Sequence, residues 1–435
     1  MSTASSVAPP PRRPFVETVR QRTLANGTRL FVLENRFNPT VALSGSLRAG
    51  RLFAPAERRM VASMTAGELM KGTARRTKLE LAEDLESRAA SLSFSSDASD
   101  PVGVDVTGAS LSRDTDLLLD TLAEVLRTPT FPAEELEKEK KRLVGAIRQQ
   151  QEQTSLRAYE AAMRRIYPLS HPLHRLTGAQ RIARVESLDR ADLEAFYRDR
   201  YGAASLALVV VGDVDAGHVL DRLEAGLGPW TSGPSSDIAA PTLPPPSPGE
   251  ETVRMADKAN ADLVLAVPAT LARTDPDFLA CSLANSALGQ SSLTSRLGVR
   301  VRDTEGLTYG IHSSFSATHL PGPFVVSMTV KPQSRGQALA ATLDEIRKYL
   351  SAGMTEKELS EEKSARIGRF KVDLGSNAGI AQALDAAIYY GFGVGYLDAF
   401  PTRVAAVTKA EADAAFSARV QPDAFTVVSA GTFPS

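Results

Sequence analysis

The chain has 435 residues with 43% hydrophobic content, too long for one ordinary core and suited to two domains of about 200 residues each. Its 50 lysines and arginines nearly cancel 51 aspartates and glutamates, which removes the electrostatic drive for binding nucleic acid and excludes that partner class. A single cysteine, Cys281, excludes an intrachain disulfide and any cysteine-based zinc cluster, and its apolar surroundings read as core.

No apolar run approaches the roughly 18 residues needed to span a bilayer, so no membrane span is expected. The longest strong run, Leu206 to Val211, has the length of a buried strand. The start, MSTASSVAPPPRRP, lacks the basic and apolar regions of a secretory signal, yet its Ala/Ser/Pro character is like the mature start of an exported protein. Two compartments stay open: the bacterial periplasm if a leader preceding Met1 has been removed, and otherwise the cytoplasm.

In chain order, Leu79 to Ala90 reads as a helix, Leu92 to Ser95 and Val102 to Thr107 as strands, and Leu117 to Leu126 as a helix, followed by a further helix opening at Glu134. Within that last helix the run EELEKEKKR pairs charges at i,i+4 and reads as a solvated face without chemistry. His171 and His174 in SHPLH have HxxH spacing, but Pro172 between them and no carboxylate pair nearby argue for a loop over a metal site. His218 falls on a helix after the strand ending VVVGDV and reads as structural.

Residues 231–250, TSGPSSDIAAPTLPPPSPGE, hold little that can pack and read as a semi-extended linker. Beyond it the same order returns. Arg296 to Thr304 is helical, Thr308 to Phe315 and Pro323 to Val330 are strands, Ala338 to Leu350 is a helix, and another helix opens near Glu358. A repeat at a spacing of about 223 residues implies duplication of one unit. The expected architecture is α+β, with two α/β sandwich domains whose mixed or antiparallel sheets are covered by helices. The expected boundaries are 15–231 for the N-terminal domain, 232–250 for the linker and 251–435 for the C-terminal domain.

The stretch from Ser295 to Phe315, SRLGVRVRDTEGLTYGIHSSF, places Arg302 and Tyr309 on either side of a Gly306-Leu307 turn. A guanidinium and a phenol held on one loop suit the gripping of a peptide carbonyl and of the oxyanion formed when water attacks it. On residue type alone, Arg302 could equally be a helix-end residue paired with Asp303 or Glu305. Ser291, Ser292 and Ser295 form no GxSxG nucleophile elbow and read as caps for the helix at Arg296. His312 lies near enough to the pair to touch substrate, although a packed or solvated imidazole is the simpler reading, as it is for His319.

The pattern SRL, VR, GLTY resembles the C-terminal half of the pitrilysin-like (M16) zinc metallopeptidases, in particular their two-subunit M16B branch. The segment DRADLEAFYRDRYGAASLALVVVGDVD from Asp189 to Asp215, the His171-Pro172 turn and LMKGTARR from Leu69 to Arg76 resemble the same family in order and spacing. The resemblance implies two sandwich domains per subunit and two subunits closing as the halves of a clamshell. Active members carry HxxEH before the KGT turn, two histidines binding zinc with a glutamate as general base. Counted back from Lys71-Gly72-Thr73, those three positions are Ser63, Ala66 and Gly67. The family's third ligand, a glutamate, falls roughly at the apolar run Leu143 to Ile147.

A catalytic zinc needs about three protein ligands, so the resemblance implies a subunit with no cofactor of its own, the zinc being expected in its partner. That partner is an HxxEH-bearing homologue, in a heterodimer or larger assembly, and the substrate is a peptide or unfolded protein. Arg302 and Tyr309, with His312 beside them, are the expected substrate-binding and oxyanion-stabilising residues lent to that partner. The other expectation is an inert scaffold or core-type assembly subunit with no part in proteolysis, which would tolerate loss of both residues. A self-sufficient peptidase is disfavoured because both helices that should carry zinc ligands lack them.

Overall fold

The structure, a computed structural model, describes residues 13–96, 100–231, 233, 238 and 241–433. It consists of two mixed sheets, each packed between helices. The first contains β1 (Arg20–Thr23), β2 (Arg29–Glu34), β3 (Thr40–Leu47), β4 (Ser91–Ser95), β5 (Val104–Leu111) and β6 (Ala207–Gly212), in the order β1-β2-β6-β3-β5-β4. The second contains β7 (Gly249–Arg254), β8 (Ala261–Pro268), β9 (Thr308–Phe315), β10 (Pro323–Val330) and β11 (Thr426–Gly431), in the order β7-β11-β8-β10-β9.

The duplication is visible strand by strand. β2 runs parallel to β6, as β7 does to β11, and the other pairings are antiparallel. β4 and β9 are therefore the equivalent edges of the two sheets. Strands buried on both faces need continuous apolar runs, and β6 and β11 are buried at every residue. Each sheet packs one face on its own half: one core joins β2, β3 and β6 to the helices Thr115–Arg127 and Ala216–Leu227, and the other joins β8 and β10 to Phe278–Asn285 and Lys409–Ser417.

The opposite faces are covered by exchange. Helix Thr154–Ile166 of the first half lays Ala158, Ala161, Ala162 and Ile166 on Val264, Ala266 and Val428 of the second sheet. Its counterpart, helix Asn377–Tyr389, lays Ile380, Ala381, Leu384 and Ile388 on Leu33, Ala42, Val209 and Val211 of the first. Neither sheet is thus sealed by its own half of the sequence. Polar groups fix the exchanged helix in place: Ser44 Oγ and Ser46 Oγ on β3 donate to the buried Asp385 carboxylate at 3.1 and 3.2 Å. Burial raises the Asp385 carboxyl to about 7 against the pull of those two hydroxyls.

Helices begin where the sequence supplies caps. Thr77, Thr177, Asp189, Thr355 and Thr408 each close a capping box with the residue three positions on. β7 starts at Gly249, two residues inside the stretch expected to be linker, and Leu243 packs against the exchanged-helix cluster. Residues 232, 234–237, 239 and 240 of that stretch lie outside the described residues, as do residues 1–12 of the Ala/Ser/Pro-rich start.

Candidate functional site: an emptied metal position and an exposed Arg/Tyr pair

Helix Met60–Glu68 buries Val61, Ala62, Met64 and Ala66. The alternate positions 63 and 67, one turn apart, point the other way and are exposed. They line a cavity of about 540 Å³ together with Leu143 from helix Ala133–Gln150. Positions 63 and 67, where imidazoles are expected, and Leu143, the first residue of the run where a carboxylate is expected, thus face one space. They hold a hydroxyl, a hydrogen and an isobutyl group. Ser63 Oγ donates back to Met60 O at 3.1 Å, and Ala66 is buried. This donor set does not fit zinc, which takes imidazole, thiolate or carboxylate ligands. Among the described residues no three His, Cys, Asp or Glu gather in a way that could hold a metal.

The following turn is shaped by Gly72, at φ 154°, where a Cβ would come within 3.1 Å of Thr130 Oγ1 and 3.2 Å of the Pro132 ring. His171 and His174 are occupied individually. His171 stacks on Tyr167 at 4.3 Å and accepts from Leu173 N, while His174 Nδ1 lies 2.8 Å from Tyr167 O. Burial lowers His171 to about 4, with the Arg59 and Arg51 charges acting the same way, so its ring is neutral. His218 Nε2 pairs with Asp116 at the surface.

In the second half the chain leaves helix Phe278–Asn285 through a π-helical turn, Ser286–Gln290, and enters a second, Gly298–Thr304, which carries Arg302. Ser295 Oγ accepts from Gly298 N at 3.3 Å, the capping expected of it. The loop to β9 is closed by Gly306 N donating to Arg302 O and Leu307 N to Val301 O, with Gly306 at φ 63°. β9 then begins with a bulge: Thr308 pairs with Val330 and Ile311 with Met328, so Tyr309 and Gly310 oppose the single residue Thr329. Thr308 Oγ1 anchors it, donating to Thr329 O at 2.6 Å and accepting from Gly310 N at 3.1 Å. The extra residue brings Thr308 into phase with Ile311 and Ser313, all buried, and leaves Tyr309 and His312 exposed.

Tyr309 is 86% exposed, and its hydroxyl has no hydrogen-bond partner among the described residues. Arg302 Nη1 donates to Asp303 Oδ1 at 3.0 Å, a partly exposed pair. The simple ion-pair alternative therefore holds for the chain alone, but such a pair is worth little and is readily exchanged. Neither Arg302 nor Tyr309 lines the N-terminal cavity. His319 lies away from them, packed against Tyr389 and Tyr390 at 4.5 and 4.9 Å.

Sequence reasoning missed two groups beside the emptied position. Glu68, one residue beyond Gly67, is fully buried with neither carboxylate oxygen hydrogen-bonded, and burial raises it to about 7. Arg51 also borders the cavity, with Nε and Nη2 buried and unpartnered. A charged residue after an apolar helix face was visible at Glu68, but its burial depends on the neighbouring helix. The run from Glu134 to Arg142 is also less solvated than its charges suggest: Glu139 and Arg142 face the cavity, and Lys140 donates to Leu188 O.

Two duplicated α/β sandwiches that share helices, with no metal-donor set beside Ser63 and Gly67 among the described residues of the first and an exposed Arg302/Tyr309 pair at the equivalent edge of the second, define a two-domain fold of the kind seen in the M16 peptidases and their inactive relatives. The family descriptions "Insulinase (Peptidase family M16)" and "Peptidase M16 inactive domain" match residues 30–176 and 187–366, and the chain belongs to family M16. It is similar to an uncharacterized zinc protease of Streptomyces coelicolor, 31% identical over 40% of this chain and only 39% of that relative's length. It is also similar to the non-peptidase homologue YmxG of Helicobacter pylori, 23% identical over 77% of this chain and 76% of the relative. The crystal structure of a peptidase M16 inactive domain from Pseudomonas fluorescens superposes with a TM-score of 0.87 at 26% identity, covering 96% of this chain and 98% of the other. Among the described residues no helix is long and apolar enough to cross a membrane.

Proposed function

We propose that the chain is an M16B-type non-catalytic subunit that pairs with an HxxEH-bearing homologue and lends Arg302 and Tyr309 to the zinc site of that partner, the two chains closing as a clamshell. The carrying observation is Tyr309, a phenol 86% exposed on a bulged edge strand, whose hydroxyl has no hydrogen-bond partner among the described residues. Exposed apolar groups that cluster into a patch mark interaction surfaces, whereas single ones do not. Leu293 and Val299, at 61% and 47% exposure, lie on the adjoining segments, and Ser292 Oγ ties the first of these to β9 through Ile311 O at 2.8 Å.

In that assembly a zinc held by the partner would supply polarisation of the scissile carbonyl of an extended peptide or unfolded protein. The Tyr309 hydroxyl would donate to the oxygen on which charge develops, and Arg302, released from Asp303, would hold a neighbouring substrate carbonyl. His312 flanks the peptide. The chain itself needs no cofactor.

The test is hydrolysis of a quenched fluorescent peptide by this chain, by an HxxEH homologue from the same source, and by their mixture. Activity is expected in the mixture alone. Tyr309→Phe or Arg302→Ala should leave the complex intact by size-exclusion chromatography and lower turnover by roughly two to three orders of magnitude. Full activity of the homologue alone, or unchanged turnover in either variant, would assign this chain to the scaffold class.

A further inference from the structure

In the second half, the place equivalent to the emptied metal position is filled by a cation of the chain's own. Helices Ala133–Gln150 and Glu356–Asp373 are counterparts in the duplication, and where the first carries Leu143 the second carries Arg366. Arg366 reaches the helix that follows β8 as Met60–Glu68 follows β3, and its Nη2 donates to Ser282 Oγ at 2.8 Å and to Ser286 Oγ at 3.3 Å. Its Nε and Nη1 have no partner among the described residues and are not sealed from solvent.

Two more guanidiniums stand beside it. Arg369 is exposed one turn further along the same helix. Arg273 lies over the Phe278 ring at 4.2 Å and the Tyr390 ring at 5.9 Å, with its guanidinium nitrogens unpartnered and open among the described residues. None of the three forms an ion pair among the described residues. The acids nearby are largely committed: Asp275 and Asp277 to Arg419 at 3.7 and 2.7 Å, Glu358 to Arg296 at 2.7 Å, and Glu361 to Lys357 at 3.8 Å. Glu362, one turn before Arg366, opposes the Arg273 and Arg369 charges there, while burial raises its own carboxyl. Three guanidiniums thus face one free carboxylate. Burial and then the Arg273 charge lower Arg366, and an anion brought to such a half-buried group of like charges relieves their repulsion.

We propose that this face of helix Glu356–Asp373 binds an acidic segment of a peptide, with one carboxylate on the open Nε and Nη1 of Arg366 and others at Arg273 and Arg369. Guanidiniums on two separate elements suit several carboxylates along a chain better than one compact anion. Tyr396, whose ring acts on Arg366, extends the surface: it stacks on Phe392 at 4.6 Å, both half-buried, and Arg403 lies over it at 5.1 Å. These rings offer apolar area to the peptide between its charges. That the ligand is a peptide rests on the proposed function, whereas the preference for acids belongs to this chain alone.

The test is isothermal titration calorimetry on the isolated full chain with three probes: a Glu-Ala repeat peptide, its Gln-Ala counterpart and inorganic phosphate. The glutamate peptide should bind, with the glutamine peptide and phosphate weaker by roughly tenfold or more. Arg366→Gln, Arg273→Gln and Arg369→Glu should each weaken the glutamate peptide by roughly tenfold while circular dichroism stays native. Lys141→Glu, an exposed and unpaired lysine on the equivalent helix of the first half, changes the net charge as much as Arg369→Glu does and should leave the affinity unchanged. No binding of the glutamate peptide, equal binding of the glutamine peptide, phosphate as tight as the peptide, unchanged affinity in the folded arginine variants, or an equal loss in Lys141→Glu would each overturn the proposal. Because the isolated chain is titrated, failure here leaves the mixture assay of the partner role standing, and failure of that assay leaves this binding measurable.

Discussion

Replacing Glu68 by glutamine should make the protein more stable at neutral pH and leave it unchanged in acid. Glu68 has zero exposure and no hydrogen bond to either oxygen, and its carboxyl moves from 4.5 to about 7. The cause is burial first, opposed by Lys71 and reinforced by Glu139 and Glu135. Because the folded value is raised, the native state keeps the proton while the unfolded chain releases it. Stability is full below pH 4.5, declines as pH rises, and has lost the whole contribution above about 7. A difference of 2.5 pH units, at about 1.4 kcal/mol each, gives about 3 kcal/mol. Glutamine keeps the shape and removes the ionisation, so Glu68→Gln should gain about 3 kcal/mol over the wild type at pH 8 and close to nothing at pH 4.5. Urea unfolding of both proteins at intervals between those limits measures it. A difference that does not change with pH would show that Glu68 does not titrate in this range and would refute the reasoning.

Asp385→Asn should act with the same sign between pH 3.8 and about 7, since burial raises that carboxyl also; a flat difference against wild type would contradict it. Leu384→Ala, at a residue with no exposed surface on the exchanged helix, should cost about 3 to 5 kcal/mol. The single tryptophan, Trp230, lies in the other half's core, so its fluorescence midpoint should fall with that of the whole chain; an unshifted Trp230 transition would show the halves to be energetically separate. Purified chain should hold no stoichiometric zinc by atomic absorption, whereas Ser63→His, Ala66→Glu, Gly67→His and Leu143→Glu combined should bind about one equivalent. A Cβ at Gly67 meets nothing within 4 Å, so failure of a folded quadruple variant to bind zinc would refute the placement of those positions.

The two-sheet architecture was legible because it is written locally. Alternation and apolar runs in β9, β10 and β6 mark strands, and threonine or aspartate three residues before an acid or glutamine marks helix starts. The strands at Thr308–Phe315 and Pro323–Val330 agree with the pattern to the residue. The residue types at positions 63, 66 and 67 were legible for a different reason: a serine, an alanine and a glycine are facts of composition and do not depend on packing.

Tertiary structure decided what burial and partners decide. Alanine-rich segments such as Thr154–Ile166 and Asn377–Tyr389 read as ordinary amphipathic helices, and nothing in their own periodicity says that each seals the other half's sheet. The bulge that leaves Tyr309 and His312 exposed is set by pairing with Thr329, a residue distant in sequence. Charges show the same division. The chain's near-zero net charge is a sum over residues, but whether Glu139, Glu160 or Arg51 is compensated depends on which neighbour the fold brings within reach. Strand and helix periods and the residue types at positions 63, 66 and 67 are properties of short stretches and were readable from the sequence alone; only the fold determined that one helix from each half seals the sheet of the other, because that depends on contacts between residues far apart in the chain.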